Sequence, residues 1–259
     1  MTEGSKTAAG RVYADVETIA RSIAAMPLPR LLVFDCDGVL APLVDHADDS
    51  VLLDGIGDLL AKLARSGNTT VAILSGRSLK GLAQFNFDET VVVAGSYGGE
   101  RRGIGTPELN DDEVELLRRL DEITVEAAKV AGDGAWVERK PTSVVVHVRE
   151  ADAARREDAL RHARQRSAEL HGHELHEGGN VIELMARPTD KGVGLDRLRE
   201  ECAAASVLYI GDDVPDEDAI ARLTASGDVG IKVGTGDTAA TFRLADPAAV
   251  RSLLSALTR

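Results

Sequence analysis

The sequence predicts an α/β protein in which a parallel β-sheet is wrapped on both faces by helices and carries a second, smaller α/β domain as an insertion. Short apolar runs alternate with segments of helical length over the first hundred residues and again after residue 189. Such runs are typical of parallel strands that are buried on both faces. Between about residues 103 and 185 the order of the elements changes, which indicates the insertion.

The first part of the chain contains regular βα alternation. The expected elements are, in order, a strand near residues 31–35, a helix near 51–66, a strand near 70–74, a helix near 79–85 and a strand near 91–94. Ahead of them, residues 14–26 have apolar side chains at helical spacing and predict a short helix that packs on the core. Residues 1–10 are expected to be frayed.

The middle block combines two charged helices with several strands. The expected elements are a helix over residues 111–130, a strand over 143–148, an Arg-rich helix over 152–170, and strands near 174 and over 181–184. The predicted domains are an N-terminal segment (1–30), the first part of the core (31–103), the inserted domain (104–186) and the second part of the core (187–259).

Two acids, Asp35 and Asp37, end the apolar run of residues 31–34 and are followed by Gly38. A buried strand delivers such residues to the carboxyl edge of the sheet, where α/β folds place their ligands. Alternate residues of an extended segment face the same way, so we expect the two carboxylates to converge. Adjacent carboxylates stay ionised together beside a cation, and Mg2+ is the natural oxygen-seeking choice. The same residues also occur in ordinary turns, so the pair alone does not decide the function.

A second acidic cluster follows another short apolar run, residues 207–210. Asp212 and Asp213 precede Pro215 and lie in the predicted loop, which makes them candidate ligands. The next acids, Asp216 among them, are also what the first turn of a helix favours, because carboxylates there interact with the helix dipole. A second strand is therefore expected to end in acids at the same edge of the sheet.

Two more polar segments follow apolar runs between these clusters. Ser75, Gly76 and Arg77 come after residues 71–74, and Lys191 comes shortly after residues 181–184. A hydroxyl beside glycine N–H groups and a lysine ammonium can each hold a phosphoryl oxygen. Arg77 is interpreted either as a phosphate contact or as an exposed helix-capping side chain. Each segment alone is also an ordinary turn or a solvated charge.

The order of these four motifs resembles that of the haloacid dehalogenase superfamily of phosphatases. Within it, the chain is similar to the trehalose-6-phosphate phosphatases in four places, residues 95–100, 137–149, 211–218 and the tail formed by 230–234 with 245–247. The similarity covers nearly everything after the first 30 residues. It implies a haloacid-dehalogenase-like Rossmannoid core with a parallel sheet, and an inserted α/β cap domain that covers the catalytic edge and selects the substrate.

The resemblance implies a catalytic role for four residues. Asp35 is expected to attack phosphorus and form an aspartyl-phosphate. Asp37 is expected to protonate the leaving sugar oxygen and later to take a proton from the attacking water. Ser75 and Lys191 are expected to stabilise the transferring phosphoryl group.

The resemblance also implies a Mg2+ site. The expected ligands are a carboxylate oxygen of Asp35, the backbone carbonyl of Asp37 and a carboxylate of Asp212, with Asp213 or Asp216 supporting them directly or through water. The choice between Asp212 and Asp213 as the direct ligand stays open.

Four residues of the insertion match positions that contact the disaccharide in the resembled family: Glu138, Lys140, Arg149 and Glu183. Alternation along a strand is expected to place Glu138 and Lys140 on the same side, toward the core. A charged strand of this kind is otherwise a solvated edge.

The chain departs from the family pattern at three places. The pair Gly179-Asn180 stands where a Lys is usual, Tyr97 stands where His is common, and Val39 replaces a Thr in the first motif. The catalytic acids are intact, so these departures bear on the identity of the sugar and leave the reaction type unchanged.

Composition bounds the remaining possibilities. The chain has 259 residues, 44% of them hydrophobic and 28% charged, which is ordinary for a globular protein. A formal net charge of -13 argues against nucleic acid or an anionic membrane as a partner. No apolar run approaches the length of a membrane span. We therefore expect a cytoplasmic protein, and a monomer because no heptad or long apolar stripe is present. The partner that the resemblance implies is a small-molecule sugar phosphate.

Several other residues have ordinary interpretations. Cys36 is expected to be a packing residue, since no neighbouring His could act as its base. Trp136, the single tryptophan, is expected to pack inside the cap. His171, His173 and His176 are spaced as metal ligands could be, but they are more typical of a polar edge.

Three classes of function are consistent with the sequence. The first is Mg2+-dependent hydrolysis of trehalose 6-phosphate. The second is the same phosphatase chemistry on a related sugar or pseudo-disaccharide phosphate in specialised metabolism. The third is a non-catalytic sugar-phosphate binder, which would not need both Asp35 and Asp37.

Overall fold

The computed structural model describes residues 14–106, 108–178 and 180–259. These residues form two compact units. The core unit contains the described residues up to Gly105 together with Asp190–Arg259, and the inserted unit contains those within Thr106–Thr189. Within the described part of the chain, no helix is both long enough and apolar enough to cross a membrane.

The core unit is built on a seven-stranded sheet in the order β11-β10-β9-β1-β2-β3-β4. Its strands are β1 (Arg30–Phe34), β2 (Thr69–Leu74), β3 (Val92–Gly95), β4 (Glu100–Arg101), β9 (Ser206–Gly211), β10 (Val229–Val233) and β11 (Phe242–Leu244). Strand β4 runs antiparallel to its neighbour β3, and every other neighbouring pair of this sheet is parallel. Strand β1 lies between β2 and β9, so its carboxyl end is at the centre of the sheet edge.

Helices cover both faces of this sheet. Leu32 and Phe34 of β1 belong to one apolar cluster, and the alternate residues Leu31 and Val33 belong to a second one on the other face. The helices are α1 (Val16–Ala24), α2 (Ile56–Ala64), α3 (Leu79–Leu82), α6 (Lys191–Glu201), α7 (Val214–Ile220) and α8 (Pro247–Leu257). Three short 3-10 turns, Ala47–Asp49, Ala83–Phe85 and Ser96–Gly98, complete the described core. A continuous apolar strand buried on both faces is what the sequence predicts for β1.

The inserted unit is a four-stranded antiparallel sheet, in the order β5-β6-β8-β7, with two helices. Its elements are α4 (Asp111–Ala131), β5 (Trp136–Arg139), β6 (Ser143–His147), α5 (Ala153–Ser167), β7 (Glu174–Gly178) and β8 (Val181–Met185). One face of the sheet packs on the helices through alternate apolar residues, among them Val144, Val146, Ile182 and Leu184. Helix α4 begins with a capping box between Asn110 and Glu113, which satisfies two N–H groups that would otherwise lack partners.

The expected elements and the observed ones agree in type and differ at their ends. The second helix starts at Ile56, five residues later than expected, and its N-cap is Gly55, with φ at +80°. The predicted helix over 79–85 is one α-helical turn followed by a 3-10 turn. The N-terminal helix packs on the core through Ile19 and Ile23, as predicted. The frayed segment expected at residues 1–10 lies outside the described residues.

Candidate active site

The carboxyl ends of three neighbouring strands carry the predicted motifs. Asp35 follows β1, Ser75 follows β2, and Asp212 follows β9. The backbone N–H of Asp35 donates to the carbonyl of Ile210 at 2.9 Å, which fixes the first motif against β9, the strand that precedes Asp212. The third motif in chain order lies on a helix, because Lys191 is the first residue of α6.

Lys191 joins two of the acids. Its Nζ lies 2.9 Å from Oδ2 of Asp35 and 2.6 Å from Oδ1 of Asp216. The ammonium is buried, with 4% of the side chain exposed. Burial alone would lower the pKa of Lys191, but the attraction of Asp216 and Asp35 outweighs it and raises that pKa. Lys191 therefore remains a cation over the whole physiological range.

Asp216 is an organising residue with both carboxylate oxygens already occupied. Oδ1 accepts from Lys191 Nζ and from the hydroxyl of Tyr209, each at 2.6 Å. Oδ2 accepts from the backbone N–H groups of Asp212 and Asp213, each at 2.9 Å. Burial alone would raise the pKa of Asp216, but Lys191 and these hydrogen bonds lower it below its usual value. Asp216 therefore stays ionised and holds the loop of Asp212 and Asp213 in place.

A group of three acids could hold a metal ion. Asp35, Asp212 and Asp216 each offer a carboxylate oxygen, and these oxygens lie within 4.8 Å of one another. Burial, reinforced by the neighbouring carboxylates, raises the pKa of Asp35 to about 8 and that of Asp212 to about 7. Crowded oxygen ligands with raised pKa values suit a hard divalent cation, which would neutralise their repulsion. The donor set therefore fits Mg2+, with Asp35 and Asp212 as the carboxylates that keep free capacity.

The geometry separates Asp212 from Asp213, which sequence reasoning left unranked. Asp212 belongs to the carboxylate group, whereas Asp213 is exposed and serves as the N-cap residue of α7. Gly38 makes the approach of Asp212 feasible. A Cβ at Gly38 would lie 2.0 Å from Oδ2 of Asp212, and its φ of +72° is in the left-handed region that favours glycine.

Asp37 is held by a different set of partners. Its carboxylate accepts from Arg77 Nε at 2.5 Å, from a second Arg77 nitrogen at 2.8 Å and from Ser50 Oγ at 2.9 Å. Asp37 is not among the three acids of the carboxylate group, so the convergence of the Asp35 and Asp37 carboxylates stays a prediction. Its turn bends the chain at Gly38, so simple strand alternation does not continue past Asp35.

The structure bears on one of the two interpretations of Arg77, the exposed helix-capping side chain. Only 14% of its side chain is exposed, so it is not a solvated helix-capping residue. It forms a bidentate ion pair with Asp37 and also donates a hydrogen bond to the carbonyl of Ala47 at 3.0 Å. Arg77 thereby ties the loop after β2 to the loop after β1.

Ser75 and Gly76 lie beside Tyr97. Ser75 is buried, its Oγ accepts from the backbone N–H of Arg77 at 3.2 Å, and its carbonyl accepts from the N–H of Tyr97 at 2.9 Å. A Cβ at Gly76 would lie 2.9 Å from the Tyr97 ring. Tyr97 itself has φ at +56°, an uncommon conformation for a residue with a side chain. The departure at residue 97 thus places a ring directly against the second motif.

Two of the sugar-contact candidates of the inserted unit, Lys140 and Glu183, form a buried pair, and a third, Glu138, contacts a partly buried histidine. Lys140 Nζ lies 2.9 and 3.0 Å from the two oxygens of Glu183, and Ser143 Oγ donates to Glu183 at 2.6 Å. Glu138 lies 3.1 Å from Nε2 of His147. Strand β5 ends at Arg139, so Lys140 reaches Glu183 from the turn that follows the strand.

Arg149 is not brought to this pair. It is exposed in the turn after β6, at the opposite end of that strand from Ser143. Gly179 lies outside the described residues. Its neighbour Asn180 accepts a hydrogen bond from Arg156 at 2.8 Å, so this residue is used to fix helix α5.

Three other expectations have clear outcomes. Cys36 is fully buried in the core, as predicted, and burial raises the pKa of its thiol. Trp136 is not packed inside its unit, because half of it (50%) is exposed. Among the described residues, the three histidines His171, His173 and His176 do not form a group with metal-ligand geometry.

Two residues that sequence reasoning missed support the acidic loop. Tyr209 is fully buried and donates to Asp216, and Lys232 is buried with its Nζ 3.2 Å from the carbonyl of Asp213. Lys232 also lies 3.4 Å from Oε1 of Glu217. The available signal was a polar residue within an otherwise apolar strand, in β9 for Tyr209 and in β10 for Lys232.

Comparisons with known proteins agree with this geometry. The trehalose-phosphatase family model matches residues 33–248. The chain is 31% identical over 228 residues to the trehalose-6-phosphate phosphatase of Escherichia coli. This match covers 87% of this chain and 85% of that protein. It is 34% identical over 244 residues to the trehalose-phosphate phosphatase of Mycobacterium tuberculosis, covering 87% of this chain and 60% of that protein.

The fold is shared with a solved structure. The C-terminal domain of the Candida albicans trehalose-6-phosphate phosphatase superposes with a TM-score of 0.78 at 22% identity, over 95% of this chain and 97% of that one. This likeness confirms the predicted haloacid-dehalogenase-like core with an inserted α/β domain. By its sequence match, its fold and the preserved order of its four motifs, the chain belongs to the trehalose-phosphatase family and is a phosphomonoester hydrolase.

Proposed function

We propose that this protein hydrolyses trehalose 6-phosphate to trehalose and phosphate, with Mg2+ as its cofactor and an aspartyl-phosphate as intermediate. The observation that carries the proposal is Lys191, which holds Asp35 and Asp216 together at the end of the central strand. A buried carboxylate beside a buried ammonium is an oriented nucleophile next to a site for phosphoryl charge. The substrate follows from the family and from the relatives named above.

Asp35 supplies the nucleophile. One of its carboxylate oxygens forms a bond to phosphorus while the bond from phosphorus to the sugar oxygen breaks. The Lys191 ammonium, the Ser75 hydroxyl and the N–H groups of the Gly76 turn stabilise the transferring phosphoryl group. When bound, Mg2+ supplies positive charge to the same group and keeps the crowded carboxylates ionised.

Asp37 moves the protons. Asp37 enters the first step as the carboxylic acid and gives its proton to the leaving sugar oxygen. As the carboxylate it then takes a proton from the water that attacks the aspartyl-phosphate, which releases phosphate and regenerates Asp35 and the acid form of Asp37. The two-pronged contact of Arg77 and the hydroxyl of Ser50 orient the carboxylate of Asp37 for this role. Arg77 is thus a positioning residue in this proposal, in place of a direct phosphate contact.

Metal binding is assigned to Asp35, Asp212 and the backbone carbonyl of Asp37. Asp216 supports these ligands indirectly. Both of its oxygens already accept hydrogen bonds, from Lys191, Tyr209 and two backbone N–H groups. For the sugar, Glu138, Lys140 and Glu183 supply paired donors and acceptors. The expected physical form is a cytoplasmic monomer.

A related sugar or pseudo-disaccharide phosphate is the second candidate substrate. Where the family usually has a Lys donor, the side-chain oxygen of Asn180 accepts a hydrogen bond from Arg156 of the same unit. The loss of that donor bears on which hydroxyl groups the protein can read, and it leaves the phosphate chemistry unaffected.

The test is phosphate release with Mg2+ and with EDTA, across trehalose 6-phosphate, sucrose 6-phosphate, glucose 6-phosphate and pseudo-disaccharide phosphates. We expect Mg2+-dependent release from trehalose 6-phosphate, and its loss in Asp35→Asn. Asp58→Asn, on the exposed face of α2, is the matched control and should keep full activity. Preference for another member of the panel would select the second candidate. Equal activity of Asp35→Asn and the wild-type protein would refute the assignment of Asp35 as the nucleophile.

A further inference from the structure

An aromatic pair lies on the sheet of the inserted unit, with one ring exposed and the other partly buried. The indole of Trp136 stacks on the imidazole of His147, with ring centroids 3.7 Å apart and planes inclined by 6°. Half of Trp136 (50%) is exposed, and it is not part of the apolar cluster that joins this sheet to α4 and α5. Tryptophan has a large apolar surface, so leaving it exposed forgoes burial that would stabilise the fold.

The pairing register places this aromatic pair on the polar face of the sheet. Trp136 is opposite His147, and two residues further on Glu138 is opposite Val145, which in turn is opposite Glu183. Directly opposed residues of antiparallel strands point to the same face, as do alternate residues of one strand. Trp136, His147, Glu138 and Glu183 therefore share one face, while Val144, Val146 and Ile182 pack on the helices.

The aromatic pair is held in place before any ligand arrives. His147 Nε2 contacts Glu138 at 3.1 Å, so the imidazole cannot rotate freely under the indole. The side chains of His147 and Glu138 are 26% and 29% exposed, which leaves their outer edges accessible. A fixed aromatic surface bordered by carboxylates is preorganised, which limits the entropy lost on binding.

This combination has a specific chemical match. A pyranose ring has an apolar face of C–H bonds and a rim of hydroxyl groups. Flat aromatic rings cover the apolar face, and carboxylates accept hydrogen bonds from the rim. An apolar peptide or a lipid would match the ring but would remove the partly exposed carboxylate of Glu138 from water, which costs free energy.

We propose that the Trp136–His147 pair is a stacking platform for a pyranose ring of the substrate, with Glu138 positioning the imidazole. The inference rests on the proposed function only in taking a sugar phosphate as the substrate. It assigns to this chain a specificity element, an aromatic surface, in addition to the polar residues that the family resemblance implies.

The single tryptophan provides a direct probe. We expect trehalose to change the emission of Trp136 in a saturable manner and to protect it from quenching by acrylamide. Glycerol at equal viscosity should do neither. A flat titration with trehalose and with each other sugar of the panel, in wild-type protein, would overturn the proposal.

Kinetics supply the second measurement. Trp136→Ala should raise KM for the preferred sugar phosphate about tenfold, the equivalent of about 1.4 kcal/mol, with a smaller change in kcat. The loss in kcat/KM should be larger than on 4-nitrophenyl phosphate, which has no sugar ring, and Trp136→Phe should recover most of it. Val114→Ala removes another exposed apolar side chain, from helix α4, and should change neither.

The outcomes separate this inference from the proposed function. If wild-type protein hydrolyses trehalose 6-phosphate and Trp136→Ala has an unchanged KM, the platform is refuted and the proposed function stands. If no sugar phosphate is hydrolysed but a sugar protects Trp136 from acrylamide, the platform stands and the proposed function fails.

Discussion

At the scale of single residues, the site depends on backbone positions that have no side chain. Asp212 occupies the space that a Cβ at Gly38 would fill, and Asp216 does the same at Gly211, where a Cβ would meet Cβ of Asp216 at 2.3 Å. The acids can crowd around one point only because these two positions are glycine. The Asp-x-Asp-Gly and Gly-Asp-Asp motifs thus interlock in space.

Gly38→Ala tests this interlocking. The methyl group would displace Asp212 from the carboxylate group, so we expect Mg2+-dependent phosphate release to fall at least about a hundredfold, as when a group that acts in the transition state is lost. Gly55→Ala is the matched control. Its φ of +80° is similar, but nothing lies within 4 Å of its Cβ position.

Both variants should lose about 1–2 kcal/mol of stability from the left-handed backbone, measured by urea unfolding. Only Gly38→Ala should lose activity beyond that. An equal activity loss in the two variants would show that backbone strain, and not the contact with Asp212, is responsible.

At the scale of elements, the inserted sheet buries an ion pair between the turn after β5 and strand β8. Lys140 and Glu183 have 6% and 5% of their side chains exposed. A buried charge without its partner is costly, whereas replacement of both partners by apolar residues is often nearly neutral. The pair therefore has a structural role that is separable from sugar recognition.

Lys140→Met should destabilise the protein by about 3–5 kcal/mol. The Glu183 carboxylate would stay buried without the Lys140 ammonium and would keep the hydrogen bond from the Ser143 hydroxyl. The double variant Lys140→Met with Glu183→Leu should recover most of that stability in thermal unfolding. Both should lose selectivity for the disaccharide phosphate over 4-nitrophenyl phosphate. Recovery of selectivity together with stability would show that the pair has no part in sugar recognition.

At the scale of the whole molecule, stability and cofactor binding are linked through pH. The pKa of Asp35 is raised to about 8 and that of Asp212 to about 7, both from 3.8, chiefly by burial. Between those limits the folded protein binds more protons than the unfolded chain. The contribution of these groups to stability is therefore fully present below pH 3.8 and is lost as the pH rises through about 7 to 8.

A divalent cation should reverse that loss, because it binds the ionised carboxylates. In thermal unfolding we expect Mg2+ to raise Tm more at pH 8.5 than at pH 6, relative to EDTA, since protons compete with the metal. Asp212→Asn, which removes one ligand, should reduce the difference between the two pH values. An equal Mg2+ effect at both would contradict binding at these carboxylates.

The surface charge belongs to the same scale. A net charge of -13 gives no general attraction for an anionic substrate, so capture depends on local cations such as Lys191 and on the bound metal. The expected monomer is checked by sedimentation equilibrium.

The sequence by itself determined the fold class, the strands that carry the motifs and the identity of the acids. Continuous apolar runs that end in Asp or Ser have one stable arrangement, a sheet buried on both faces with its carboxyl edge open. That is local information, and it placed Asp35 and Ser75 at one edge of the sheet. Lys191 follows a strand of the inserted sheet and reaches Asp35 from the start of α6.

Only the tertiary structure decided which side chains meet. It gave Asp212 and not Asp213 to the carboxylate group, and it paired Asp37 with Arg77 across 40 residues of sequence. It also exposed Trp136. These outcomes depend on loop geometry, on left-handed turns such as that at Gly38, and on contacts between distant segments. No periodicity records such contacts, because each is fixed by packing that forms after the local elements do.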